Sequence, residues 1–219
     1  MTFFDFQRAR QPEQKEQRRQ DILKAAARLF EEKGLEKASL SKIACAAGIS
    51  KAGVYRYFES REAIFLQLLG ESFAEWAGEL ELLLAPLAGC DDPEAVAACV
   101  AKSLVERPQL GALSSATATI LEHNVSEEGV IEFKTRMLPL LIRLANALHA
   151  VMPALSMERI RQLLLYVHVT LNGLWPAAHP PPAVQAALTR PELSMMRIEW
   201  DQDLEGMLAM LLRGALQGS

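Results

Sequence analysis

The chain has 219 residues, half of them hydrophobic, and its 23 lysines and arginines stand against 27 aspartates and glutamates for a formal charge of −4. That length serves one larger or two smaller domains with a real core, and the composition is that of an ordinary globular protein. No stretch reaches the ~18 uninterrupted apolar residues of a membrane span, and MTFFDFQRAR has its apolar residues before its basic ones, the reverse of a secretory signal, so a cytoplasmic protein with no membrane partner is expected.

Charge is unevenly placed. Residues 1–60 carry 12 basic and 8 acidic side chains, and residues 61–219 carry 11 and 19. A positive first quarter on a negative body confines any polyanion-binding surface to the start of the chain. Three cysteines, Cys45, Cys90 and Cys99, form an odd set with no C-x-x-C pair. They read as reduced thiols acting as small core residues rather than as a disulfide framework.

In chain order, RRQDILKAAARLFEEKG places Ile22, Ala25, Ala26, Leu29 and Phe30 on one helical stripe and ends on Lys33 and Gly34. Ser39 opens a two-turn helix with Leu40, Ile43, Ala44 and Ala47 on one face, and Gly48 breaks it. Ser50 caps a third helix from Lys51. Ser60 opens a long one over 61–84. Further helices are expected over 92–106, where Asp92-Pro93-Glu94 is a start signal, over 109–123, over 126–151 with a bend at Pro139, and from 156 to just before Pro176. A proline-rich loop follows, and a last helix spans 195–216. Strand alternation is essentially absent, so the fold class is all-α: three short helices, then a larger bundle.

The segment GISKAGVYRYF joins two helices through a glycine turn, the arrangement whose second helix enters a DNA major groove. Spacing turns Val54 and Phe58 inward with Ile49. It leaves Lys51, Ala52, Gly53, Tyr55, Arg56 and Tyr57 outside. Lys51, near the helix N-terminus, has the donors to reach guanine edges. Tyrosine hydroxyls bond phosphates, and Ser39 and Ser50 mark helix N-termini that suit anions. Gly53 costs about 0.5–1 kcal/mol in a helix relative to alanine, which invites a close approach by a partner.

The run ASLSKIACAAGISKAGVYRYFESREAIF closely resembles the DNA-binding motif of the tetracycline-repressor (TetR) family of bacterial regulators, over about 21–69. The region from LEHNVSEEGVIEFK through MPALSMERIRQLLLYVHVTLNGLWPAA looks like one C-terminal subgroup of that family. The resemblance implies an N-terminal three-helix DNA-binding domain with its arm (1–60) and an effector-binding and dimerisation domain (61–219). It implies phosphate contacts at Ser39, Ser50, Tyr55 and Tyr57, with Arg61 where the family usually has lysine. Base-facing positions are Ser41, Lys51, Ala52 and Gly53, with Lys42 on the same reading surface. The arm (Arg8, Arg10, Lys15, Arg18, Arg19) either tracks phosphates or a minor groove, or is a solvated tail.

One reading head contacts only a half-site, so a homodimer on a quasi-palindromic operator is expected. Residues 163–175 carry no charge, and a helix apolar all round is buried all round. With the last helix it supplies the dimer face that the resemblance implies: Leu163, Val167, Leu171, Gly173 and Leu174, then Trp200, Leu204, Leu208, Leu211 and Ala215. Polar or aromatic groups on the apolar helices are the candidates for a small, largely apolar effector: Thr117, His123, Asn124, Phe133, Met137, Tyr166, Thr170, Asn172 and Trp175.

Catalysis finds no support. The four histidines are scattered, none pairs with a cysteine at metal spacing, and there is neither a phosphate-binding glycine loop nor a G-x-S-x-G elbow. No metal site, cofactor or catalytic residue is expected. Two other readings stay open: a helical protein-interaction or sensor module that does not bind DNA, and an activator using the same DNA-binding head.

Overall fold

The computed structural model describes residues 3–217, with side chains from Glu13 onward; the side chains of Arg8 and Arg10 lie outside the described residues. Ten α-helices and three short 3₁₀ turns, with no strand among the described residues, make up the chain. They divide into two compact units. One runs to Leu68 and takes in Ile120–Val130; the other holds Leu69–Thr119 and the chain from Ile131 on.

The first unit is built on α1 (Phe3–Lys33), whose stripe of Ile22, Leu23, Ala26, Leu29 and Phe30 is buried. The basic arm is therefore the first part of a helix, not a loose tail. Gly34 ends α1 at φ 75°, its N–H bonding the Phe30 carbonyl at 2.8 Å. Two short helices follow, α2 (Leu40–Ala46) packed on α1, then α3 (Lys51–Val54) packed on α2. The first turns of α4 (Arg61–Leu84) carry Ile64 and Phe65, both fully buried, and the Phe65 ring lies 5.9 Å from that of Phe30. That burial is why the compact unit extends past Ser60 to Leu68. The 120–130 segment is fastened through Glu59, whose carboxylate accepts from the Ser126 backbone N–H at 3.1 Å. Gly129 leaves the room: a Cβ there would overlap that carboxylate.

In the second unit the rest of α4 is followed by α5 (Pro93–Val105), α6 (Pro108–Ala116), α7 (Glu127–Val151) from Ile131 on, α8 (Met157–Ala178), α9 (Pro182–Leu188) and α10 (Trp200–Gln217). Asp92 caps α5, its carboxylate accepting from Glu94 N–H at 3.0 Å and Ala95 N–H at 3.2 Å ahead of a first-turn proline. α10 packs between α5 and α8, and α6 lies against α8. Among the described residues no helix is long and apolar enough to cross a membrane.

Several boundaries differ from the sequence expectation. α6 stops at Ala116 instead of running to 123, because the β-branched Thr117, Thr119 and Ile120 stiffen the chain against the helix and the Thr117 hydroxyl bonds back to the Leu113 carbonyl at 3.1 Å. α8 continues past Pro176 to Ala178; its end re-forms when His179 N–H bonds the Trp175 carbonyl at 3.0 Å. α10 begins at Trp200, not near 195, since the Asp203 carboxylate accepts from Glu199 N–H at 2.7 Å and fixes the start. The cysteines also depart from expectation: Cys45 and Cys90 are exposed at a helix surface and in a loop, and Cys99 is half-buried, where burial pushes its thiol pKa up.

Gly111 on α6 faces the indole of Trp175 on α8 so closely that an added Cβ would overlap the ring. Helix propensity favours alanine there by about 0.5–1 kcal/mol, but overpacking costs about 1–3 kcal/mol. Gly111→Ala is therefore expected to lower the unfolding free energy, read as an earlier urea midpoint with an unchanged slope.

Candidate nucleic-acid interface

The reading head begins with a turn only glycine makes without strain. Gly48 sits at φ 67° after α2, and Ile49 N–H folds back to the Ala44 carbonyl at 3.0 Å. Ser50 then starts α3 in extended backbone (φ −72°, ψ 155°), and its hydroxyl accepts from Gly53 N–H at 3.0 Å. α3 is a single α-turn, continued as a turn to Phe58. Its orientation is set by Val54 and Phe58, 0% and 5% exposed. With those two side chains held inward, Lys51, Ala52, Tyr55 and Arg56 are exposed and Tyr57 is half-buried.

Ser39 occupies the N-cap position of α2, but its hydroxyl makes no capping bond; Ser41 and Lys42 are exposed on the same helix, the Lys42 ammonium donating to the Lys37 carbonyl at 2.9 Å. Gly53 has a local reason beside any approach by a partner. A Cβ there would lie 3.3 Å from Ser50 Oγ, the atom that caps the helix. Arg61 differs from the rest. Its guanidinium donates through Nε to Glu62 at 2.9 Å, lies 2.7 Å from the same carboxylate through Nη2, and reaches the Leu35 carbonyl at 3.4 Å. Glu62 is 8% exposed. Nothing in the residue types flagged that pair; the only signal was an acid directly after the arginine.

The effector candidates fall in both compact units. His123 and Asn124 belong to the first compact unit and are exposed, whereas the other seven belong to the second. Thr117 and Phe133 are buried, Met137 is half-buried and Tyr166 is exposed. The hydroxyl of Thr170 bonds the Tyr166 carbonyl at 2.7 Å. Trp175 stacks on His179 with centroids 3.8 Å apart and meets Trp200 edge-on at 4.9 Å. The Asn172 amide contacts His168 Nε2 at 3.2 Å, yet its Oδ1 is buried without a partner, as is Nε1 of Trp200.

Of the candidate dimer residues, Leu163, Leu204 and Leu208 are buried within their own unit, and Val167, Leu171, Leu174, Trp200, Leu211 and Ala215 are half-buried. The outward face of α8 is carried by Leu165, Tyr166 and Val169, 52%, 49% and 61% exposed, with Gly173; Met210 on α10 is 65% exposed.

Residues 22–68 match the model of the family described as "Bacterial regulatory proteins, tetR family", and residues 70–219 match "Tetracyclin repressor-like, C-terminal domain". The chain is 37% identical over 54 residues to the HTH-type transcriptional repressor BepR of Brucella suis, and 41% identical over 66 residues to the HTH-type transcriptional regulator AcrR of Shigella flexneri. These alignments cover 25% and 29% of this chain, and 26% and 29% of those relatives. The fold is similar to that of Thermus thermophilus FadR, a TetR-family repressor solved in complex with lauroyl-CoA, with a TM-score of 0.59 and 21% identity over 90% of this chain and 94% of that one. A Rhodococcus regulator gives a TM-score of 0.53 at 20% identity, over 91% of this chain and 96% of that one.

Because Arg61 is engaged inside the molecule, its removal leaves Glu62 buried without its cation. Arg61→Ala is expected to cost about 1–3 kcal/mol of stability. Denaturant titration checks this, and the salt dependence of DNA binding by the same variant stays close to that of the unaltered protein.

Proposed function

The chain belongs to the TetR family and is a transcriptional regulator, and from that premise we propose that it is a cytoplasmic repressor whose homodimer holds a quasi-palindromic operator and leaves it on binding a small, largely apolar effector. The observation that carries the DNA reading is the outward set of α3. Lys51, Ala52 and Tyr55 are exposed and Tyr57 is half-buried around a helix and turn whose inner side is locked by Val54 and Phe58. Lys51 is the base-reading cation, with Ser41, Ala52 and Gly53 forming the close-fitting part of the surface. Ser39, Ser50, Tyr55 and Tyr57 hold phosphates and fix the register. That the Ser39 hydroxyl makes no capping bond supports that role, whereas Arg61 acts mainly by bracing the start of α4 against the Leu35 carbonyl.

For the dimer, Leu165, Val169 and Gly173 on α8 with Met210 on α10 form an apolar outward face that water covers poorly. Leu204 and Leu208 back it from inside. For the effector, the long apolar helices favour a molecule with a hydrocarbon body, the class to which the lauroyl group in the Thermus complex belongs. The unpartnered Asn172 Oδ1 and Trp200 Nε1 support one weakly polar group on it.

Selection of random duplexes by the purified protein, followed by sequencing, is expected to return a two-fold symmetric site; no enrichment by a folded dimer would favour a protein-interaction module. On the recovered site, Lys51→Ala is expected to relax base preference at one position of each half, worth about 1–3 kcal/mol. Tyr55→Phe weakens all sequences alike. In sedimentation the unaltered protein is expected at twice 24.2 kDa, and Val169→Glu at the monomer mass; a Val169→Glu dimer would move the interface elsewhere.

A further inference from the structure

Between α8 and α10 the chain forms an arm that its own unit leaves uncovered. Residues 181–199 hold α9 and the 3₁₀ turn Pro191–Met196, and neither contains a buried residue. Only Leu188, Leu193 and Ile198 are half-buried; every other residue of the stretch is exposed. The main packing partner of α9 is the 3₁₀ turn that follows it. Its hydrogen bonds are local as well, from Gln185 N–H to the Pro181 carbonyl at 2.9 Å and from Arg190 N–H to the Ala187 carbonyl at 3.1 Å. Such bonds do not hold a seven-residue helix in water. The side chains it turns outward are apolar and adaptable: Met195 is 98% exposed, Met196 69% and Val184 46%.

The base of the arm is fixed. His179 stacks on Trp175 at the end of α8, and Trp200 at the start of α10 meets both rings edge-on. Pro180, Pro181 and Pro182 restrict the backbone on entry and Pro191 restricts it further on, so little freedom is left to lose when the tip is covered. Its charges cancel within the arm: Arg190 bonds Glu192 and Arg197 pairs with Glu199, each at 2.6 Å. A stiff, neutral, apolar tip offers nothing to a polyanion or an anionic lipid surface and fits a protein surface.

We infer that this arm laps onto a second copy of this chain, extending the α8–α10 face at its edge. This rests on the homodimer reading. The arm leaves the last turn of α8 and returns to the first turn of α10, so whatever covers that face lies beside the arm's base. Leu165, Val169, Gly173 and Met210 make a narrow strip, whereas a standard interface takes about 20–30 residues a side. Two-fold symmetry makes the exchange mutual, each subunit giving an arm and receiving one.

The test is hydrogen exchange on the full-length protein, above and below its dimer dissociation constant, read at the amides of 184–198 and of α8. Both sets are expected to be protected in the dimer, and the arm's protection is expected to vanish on dilution. The variant Met195→Glu, Met196→Glu alters only side chains exposed in the subunit, so it folds, and it is expected to raise the dimer dissociation constant roughly tenfold or more. A dimer with α8 protected would overturn the arm, and leave the homodimer standing, if the arm exchanged freely or the double variant left the dissociation constant unmoved. Protection of the arm that persists in the monomer would assign its cover to its own chain and likewise overturn the inference. A protein that stays monomeric at every concentration would overturn both.

Discussion

The proposed DNA-binding surface depends on the burial of Val54 and Phe58. α3 is a single α-turn, far too short to hold its shape by its own hydrogen bonds, since isolated helices need about 12–15 residues even to be marginal. Its orientation is supplied by the core beneath it: α1 through Ile22 and Leu23, α2 through Ile43, and the start of α4 through Ile64 and Phe65. Once those two side chains are inside, helical geometry leaves Lys51, Ala52 and Tyr55 no direction but outward. The Ser50 cap and the left-handed Gly48 then set where the turn begins, and Gly53 keeps a methyl away from the capping oxygen.

The second unit solves a different problem. Its helices are long enough to persist, and what matters is how closely they pack. Gly111 lets the Trp175 ring press on the α6 backbone, and the same indole stacks with His179 and meets Trp200 on α10. This places three large aromatic groups at one end of α8 while Leu163 and Ile160 anchor the other. At the opposite side, Asp91 accepts a left-handed backbone, φ 47°, because its carboxylate takes Ala154 N–H at 3.1 Å and its own N–H reaches the Val151 carbonyl. A strained residue is tolerated where two bonds hold it.

Charge supports the division of labour. The acidic body pairs most of its arginines locally, through contacts such as the two hydrogen bonds from Arg143 to Glu81 and the Arg213–Glu94 bridge. Such exposed pairs add little stability, but they remove free positive charge from the body. Among the described residues, no carboxylate lies within 4.0 Å of Lys15, Lys51 or Arg56.

The amino-acid sequence by itself determined the helical class, the approximate span of α4, the Ser50 and Asp92 caps, and the inward pairing of Val54 with Phe58. Each of these follows from spacing and local chemistry that neighbours i, i+3 and i+4 decide. Tertiary structure alone decided what pairwise contacts over long separation decide. It left Leu165 and Val169 outside, because which side of an apolar helix faces a neighbour is invisible when all sides are apolar. It bound Arg61 to a carbonyl 26 residues earlier. It exposed Cys45 and Cys90, and it brought Arg56 beside Lys15 across 41 positions of chain. Local periodicity has a range of one or two turns, and the sites made by more distant partners lie beyond it.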